Sequence, residues 1–140
     1  SILGRGMYEA LSVWETMEDT ERFPEYIRAY KDIWLGKKKI VFSHSLSNPA
    51  TANTEVRNRL TASEIEDIKR ASSTNITIGG ANLASQFIDL GLVDEVMLFV
   101  HPIIIGNGKK WIENSVPARM EHHDTVKFGN GIVLLHYFVL

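Results

Sequence analysis

The chain of 140 residues fits the size of one domain, and its 44% hydrophobic content is enough for a buried core. A formal net charge of -2 excludes bulk electrostatic attraction to nucleic acid or an anionic membrane, and the absence of cysteine excludes disulfides, thiolate metal sites and a cysteine nucleophile. No apolar run reaches the ~18 residues of a membrane helix and no basic-then-apolar leader opens the sequence, so the expectation is one soluble, cytoplasmic domain over residues 1–140.

In chain order, residues 6–17 read as a helix, with Met7, Leu11 and Trp14 at i, i+4 and i+7. A polar stretch from Glu18 to Glu25, punctuated by Pro24, ends that pattern, and no role is assigned to its Asp19 and Glu21. Residues 38–43 form a short strand entered from a charged turn, with Lys37 to Lys39 expected to be exposed, and Ser47-Asn48-Pro49 marks a loop. A weakly alternating stretch at 54–59 suggests another strand. Thr61-Ala62-Ser63-Glu64 is a capping box, with Leu60 able to staple onto Ile65, and its helix turns Ile65, Ile68 and Ala71 inward.

Residues 75–78 form the next strand, which ends in Gly79-Gly80. The helix that follows from Ala81 buries Leu83, Phe87 and Leu90 and stops at Gly91, a natural left-handed cap. Residues 94–105 predict a long apolar strand interrupted by Pro102, where an edge or a bulge is expected. Gly106-Asn107-Gly108 is a loop. Residues 125–128, the Gly129-Asn130-Gly131 turn and residues 132–140 predict a hairpin whose last strand is apolar on both faces, suited to a covered position or a subunit contact.

Strands separated by helices imply a parallel sheet, and the terminal hairpin adds antiparallel strands. The fold class is α/β, with three αβα layers around a mixed, mostly parallel sheet. Ligands in such folds sit outside the carboxyl ends of the strands, which singles out Leu3-Gly4-Arg5, Ser43-His44-Ser45 and Gly79-Gly80. At the glycine turn a ligand can approach the backbone, and the opening helix favours an anion. Taken alone, the same turn also serves as a plain strand-to-helix corner.

The pieces Leu3-Gly4-Arg5-Gly6-Met7-Tyr8-Glu9, Ile40-Val41-Phe42-Ser43, Ile78-Gly79-Gly80-Ala81-Asn82-Leu83 and Gly91-Leu92-Val93-Asp94-Glu95, continued by Pro102-Ile103-Ile104-Ile105-Gly106-Asn107-Gly108, together resemble the dihydrofolate reductase fold. The resemblance is nearest to the reductase domain of the bifunctional riboflavin-biosynthesis deaminase-reductase and its stand-alone relatives. It implies an NADPH-dependent reductase acting on a ribosylamino-pyrimidine phosphate or a related heterocycle. The cofactor site it implies comprises Gly4, Arg5, Ser43, His44, Ser45, Gly79, Gly80, Ala81, Asn82 and Leu83, with the 2′-phosphate near Ser43 to Ser45. It also implies a Gly79–Gly80 peptide that is often cis. A homodimer is expected, with the apolar C-terminal strand as a place for the subunit contact. Two departures stand out: methionine occupies position 7, where the family often places threonine, and only three residues precede the Gly-Arg turn. The second sets the expectation of an N-terminally truncated domain lacking its first strand and helix.

Other chemistry is weaker. His122 and His123 are adjacent and face opposite ways on a strand, so no metal site is expected. His101 and His136 lie among apolar residues and suit core or interface roles, Asp94-Glu95 a solvated strand entry, and Trp14, Trp34 and Trp111 packing. Lys109 is a candidate contact for a substrate phosphate. No residue stands out as proton donor, so the catalytic residues are unknown. Dihydrofolate reductase activity and a non-catalytic nucleotide- or phosphate-binding domain are the alternative functions.

Overall fold

Four short runs pair side by side as a parallel sheet. In this computed structural model, which describes residues 1–18, 23–59 and 61–140, they are β1 (Ile2–Gly4), β2 (Lys39–Phe42), β3 (Thr54–Arg57) and β4 (Ile78–Gly79), in the order β3-β2-β1-β4. The register pairs Ile2 with Ile40 and Ile78, and Leu3 with Val41 and Gly79. Alternation then puts Leu3 and Val41 on one face, where they form a buried cluster with Tyr8 and Trp34. Each such side chain contributes roughly 1.5–3 kcal/mol on full burial.

Tyr8 and Trp34 come from the β1–β2 crossover, which holds α1 (Arg5–Leu11), α2 (Val13–Thr16) and α3 (Glu25–Gly36). The single helix expected over 6–17 is broken at Ser12, whose hydroxyl donates to the Glu9 carbonyl at 2.8 Å and competes with the helical ladder. Its buried face runs through Tyr8, while Met7 is 39% exposed. The helix α3 had no counterpart in the sequence reading, although Pro24 as N-cap and Ile27 and Trp34 seven apart were signals for it. The rings of Trp14 and Tyr30 meet at 4.8 Å and join α2 to α3. Asp19, Glu21 and the Leu60 staple lie outside the described residues.

The capping box forms at the start of α4 (Ala62–Ala71), where the Glu64 N–H donates to Thr61 Oγ1 at 3.3 Å and that hydroxyl donates to Glu64 Oε2 at 2.6 Å. Ile65 is buried as expected, but Ala71 is exposed because the helix ends there. The strand expected at 75–78 shortens to β4.

The chain divides into two compact units, residues 1–83 and 84–140. The helix α5 (Ala81–Asp89) runs across that boundary and ends in a Schellman motif. The Gly91 N–H donates to the Ile88 carbonyl and the Leu92 N–H to that of Phe87, both at 2.9 Å, with Gly91 at φ +68. Leu92 is buried after the turn, whereas Leu90, expected inside, is 47% exposed. Asp89 accepts from the Ser115 and Val116 N–H groups at 2.8 Å each, which holds its carboxyl below the usual range, the Val116 bond contributing most.

In the second unit β5 (Glu95–Val100), β6 (Met120–Lys127) and β7 (Val133–Val139) form an antiparallel sheet in the order β5-β7-β6. The fold is thus α/β with a parallel sheet and a C-terminal antiparallel hairpin. The hydrogen bonds group the strands into two sheets rather than one mixed sheet. The strand expected over 94–105 stops at Val100, two residues before Pro102, and Ile103, Ile104 and Ile105 are at least 70% exposed. The hairpin's first strand starts earlier than expected, at Met120. It bulges between His122 and Asp124.

Candidate functional site at the carboxyl ends of the parallel strands

The order β3-β2-β1-β4 means that the chain winds outward from β1 through β2 to β3 and then returns past β1 to β4. The direction of winding reverses between β1 and β4, and the crevice beyond the carboxyl ends at such a reversal is where α/β sheets take ligands. The residues at that place are Gly4 and Arg5 after β1, and Gly79 and Gly80 at the end of β4. One strand over, Ser43 follows β2, whose Phe42 is in register with Gly4. All three predicted strand ends therefore lie side by side within the first unit.

Their contacts differ. The Arg5 guanidinium bridges two ends, since Nη1 donates to Ser45 Oγ at 2.5 Å while Nε donates to Glu9 Oε1 at 2.7 Å. Ser43 closes its loop as a serine turn, Oγ accepting from the N–H groups of Ser45 at 3.2 Å and Leu46 at 3.0 Å. His44 and Ser45 are exposed. The Ser43 N–H donates to the Arg57 carbonyl at 2.9 Å and draws the end of β3 into the group.

The two glycines have separate physical reasons. A Cβ on Gly79 would lie 2.7 Å from Leu3 Cδ2 and 2.9 Å from Met7 Cγ, so any larger residue here would have to displace the protein's own side chains. Gly80 sits at φ +107, a conformation closed to most L-residues, with its α-carbon facing the Gly4 backbone. The Gly79–Gly80 peptide is trans, in contrast to the cis bond that the resemblance implies. Ala81, Asn82 and Leu83 open α5. Leu83 is buried with its Cβ toward Gly4, so its side chain packs the turn.

Sequence reasoning missed three groups. Glu9 was legible as the residue four after Arg5 on one helix face. Arg57, at the carboxyl end of β3, donates from Nε to Glu55 Oε1 at 2.7 Å. That bond is the main reason the Glu55 carboxyl lies below its usual range, with Lys38 adding to it. Lys39, expected on an exposed turn, is fully buried. Its ammonium donates to the carbonyls of Trp34 at 2.8 Å and Lys37 at 3.1 Å, and it lies 3.8 Å from Glu15 Oε1.

The second unit holds the histidines. His136 Nε2 and Glu95 Oε2 are 2.8 Å apart, so Glu95 is paired rather than a purely solvated strand entry. His122 meets Thr125 Oγ1 at 2.8 Å and His123 lies against the His136 and Phe138 rings. Among the described residues no group of three or more His, Asp or Glu is placed to hold a metal ion. Lys109 and His101 are exposed.

With this geometry in place, the chain can be compared with known proteins. The sequence model of the RibD C-terminal domain family matches residues 36–134. The chain belongs to the RibD C-terminal domain family. It is 33% identical over 112 residues to the uncharacterized protein YyaP of Bacillus subtilis, a match covering 76% of this chain and 59% of YyaP. The chain thus spans well under two thirds of that relative. RibD-type structures share its fold. A Shewanella sp. PV-4 protein described as a candidate riboflavin biosynthesis protein superposes with TM-score 0.74 at 15% identity, over 99% of this chain and 72% of that one. A pyrimidine reductase-like protein of Corynebacterium diphtheriae gives 0.55 at 16% identity, over 99% and 75%. RibD of Acinetobacter baumannii gives 0.58 at 15%, over 99% and 46%.

Proposed function

We propose that this chain is an NADPH-dependent reductase of a ribosylamino-pyrimidine or related heterocycle, as in riboflavin biosynthesis. The observation that carries the reading is the meeting of Gly4-Arg5, Ser43 to Ser45 and Gly79-Gly80 at the reversal point of the parallel sheet. The donor set suits a dinucleotide phosphate. Arg5 brings a permanent charge and a planar fork of donors, the Ser43 and Ser45 hydroxyls can donate, and His44 adds charge when protonated. The bare backbone at Gly80 lets an anion approach closely. NADPH, when bound, supplies the hydride, and the protein's part is to hold and orient it and to exclude water. The family profile and the reductase-like relatives support the same class of chemistry.

The test is a titration with NADPH followed by fluorescence, repeated on Arg5→Ala. Wild type should bind, and the variant should lose about 1–3 kcal/mol, the value of a charge-assisted contact, with its folding stability unchanged. Equal affinity in both would remove Arg5 from the site, and no binding by wild type would remove the cofactor reading. Turnover assays with the ribosylamino-pyrimidine phosphate and with dihydrofolate then separate the substrates. A second reading, a nucleotide-binding domain without turnover, is favoured by one contact: Met7 packs over the glycine turn where a hydroxyl would serve a phosphate.

The proposal extends to a cytoplasmic homodimer. No described helix is long and apolar enough to cross a membrane. Met97 and Phe99 on β5 are more than half exposed, which supports self-association through the antiparallel sheet. Sedimentation at micromolar concentration reads the oligomer directly.

A further inference from the structure

We infer that Glu9 is a positioning residue of the phosphate subsite, fixing the Arg5 guanidinium for the ligand. The inference rests on the cofactor reading above. An arginine on a helix surface samples many rotamers, and ordering it on binding subtracts from affinity. Arg5 is instead tied at two points. Glu9, one turn further along α1, takes Nε at 2.7 Å, and Ser45, forty residues away, takes Nη1 at 2.5 Å. Two contacts on a planar fork set both its direction and its plane. Among the described residues the Nη2 group has no protein partner and is left for a ligand.

A carboxylate beside an anion site should weaken it, and the magnitudes decide which effect wins. Both Arg5 and Glu9 side chains are 51% exposed. The Coulomb effect of Glu9 on a bound phosphate is therefore damped by water and falls further with salt, whereas its direct contact with Nε, at 2.7 Å, is screened less. Orientation dominates, and Glu9 helps an anion bind despite its own charge.

Three variants test this with NADPH, and with inorganic pyrophosphate as a minimal probe. Glu9→Ala removes charge and acceptor, and should raise Kd about three- to fivefold, still visible at about 0.5 M salt. Glu9→Gln keeps an oxygen for Nε, and should hold Kd within about twofold of wild type or improve it at low salt. In an Arg5→Lys background, which lacks the Nε donor, Glu9→Ala should add no further loss. A role in folding alone would lower the melting temperature of Glu9→Ala without separating it from Glu9→Gln in Kd. Equal Kd for wild type, Glu9→Ala and Glu9→Gln, or an equal loss in both variants, overturns the inference and leaves the cofactor reading standing. Wild type that binds neither probe overturns both.

Discussion

Lys39 and Arg5 are two cations at opposite ends of the same parallel sheet, and they are used in opposite ways. Lys39 enters β2 at the amino end, fully buried, with its ammonium spent on the Trp34 and Lys37 carbonyls, the nearby Glu15 carboxylate and the face of the Trp34 ring at 4.7 Å. Burial pushes its pKa down, and Glu15 pulls it partly back. Arg5 leaves β1 at the carboxyl end, half exposed, oriented by Glu9 and Ser45 with donors left over. A cation saturated by its own chain holds the fold together. A cation held in place but not saturated is available to a ligand.

The largest expected effect breaks the buried side of that contrast. Lys39→Met strands two carbonyls and the Glu15 carboxylate, whose Oε1 is already buried without a hydrogen bond among the described residues. Removing one partner of a buried pair should lower unfolding stability by about 3 kcal/mol, and adding Glu15→Gln should recover part of it. Urea unfolding measures both, and NADPH affinity of the folded variant should stay at the wild-type value. A loss below about 1 kcal/mol would mean that water reaches the ammonium and the contrast is one of degree. The pH dependence has a definite sign. Because the folded pKa of Lys39 is lowered, the unfolded chain binds its proton more tightly, so this residue makes stability rise as pH climbs from the folded value toward its ordinary ~10.4. Lys39→Met should lack that rise.

At the carboxyl end the next effect is conformational. Gly80→Ala places a side chain at φ +107, and should destabilise by roughly 1–3 kcal/mol while also weakening NADPH binding. Gly6→Ala is the control, since nothing lies within 4 Å of its added Cβ and its backbone is helical. It should stabilise by about 0.5–1 kcal/mol. Two glycine substitutions near the same crevice with opposite signs would tie the Gly80 effect to backbone conformation rather than to crowding. Thermal denaturation of the pair is sufficient.

The carboxyl end was also the more legible in the sequence. Gly4-Arg5, Ser43 and Gly79-Gly80 each end a short apolar run, and strand ends are marked by local composition. That they lie side by side follows from the strand order β3-β2-β1-β4, whereas in the sequence only the resemblance grouped them into one site. The Schellman stop at Gly91 and the capping box at Thr61 were readable because each is local chemistry. What escaped was decided by tertiary contact. Lys39 belongs to a charged run, Lys37-Lys38-Lys39, and only the packing of Trp34 over β2 turns its last member inward. The Arg5 to Ser45 bond joins residues forty apart, which no local pattern encodes. The strand expected through Pro102 to Ile105 ends at Val100 because apolar character alone does not imply pairing, and the missing N–H of proline suits a strand end.

The smallest effect sharpens what the exposed end can hold. Met7 Cγ lies 2.9 Å from where a Cβ on Gly79 would be, so its side chain covers the glycine turn with an apolar group. Met7→Thr replaces that cover with a hydroxyl able to donate to a phosphate oxygen, and a neutral hydrogen bond is worth about 1 kcal/mol net. The expected outcome is NADPH binding tighter by roughly fivefold. A small stability loss should accompany it, because Leu3 and Gly79 lose an apolar neighbour. Arg5→Ala should reduce that gain if both groups meet the same ligand, and leave it intact if they meet separate phosphates. Unchanged or weaker binding in Met7→Thr would instead assign Met7 to packing alone and favour a ligand anchored mainly by Arg5 and the serine loop.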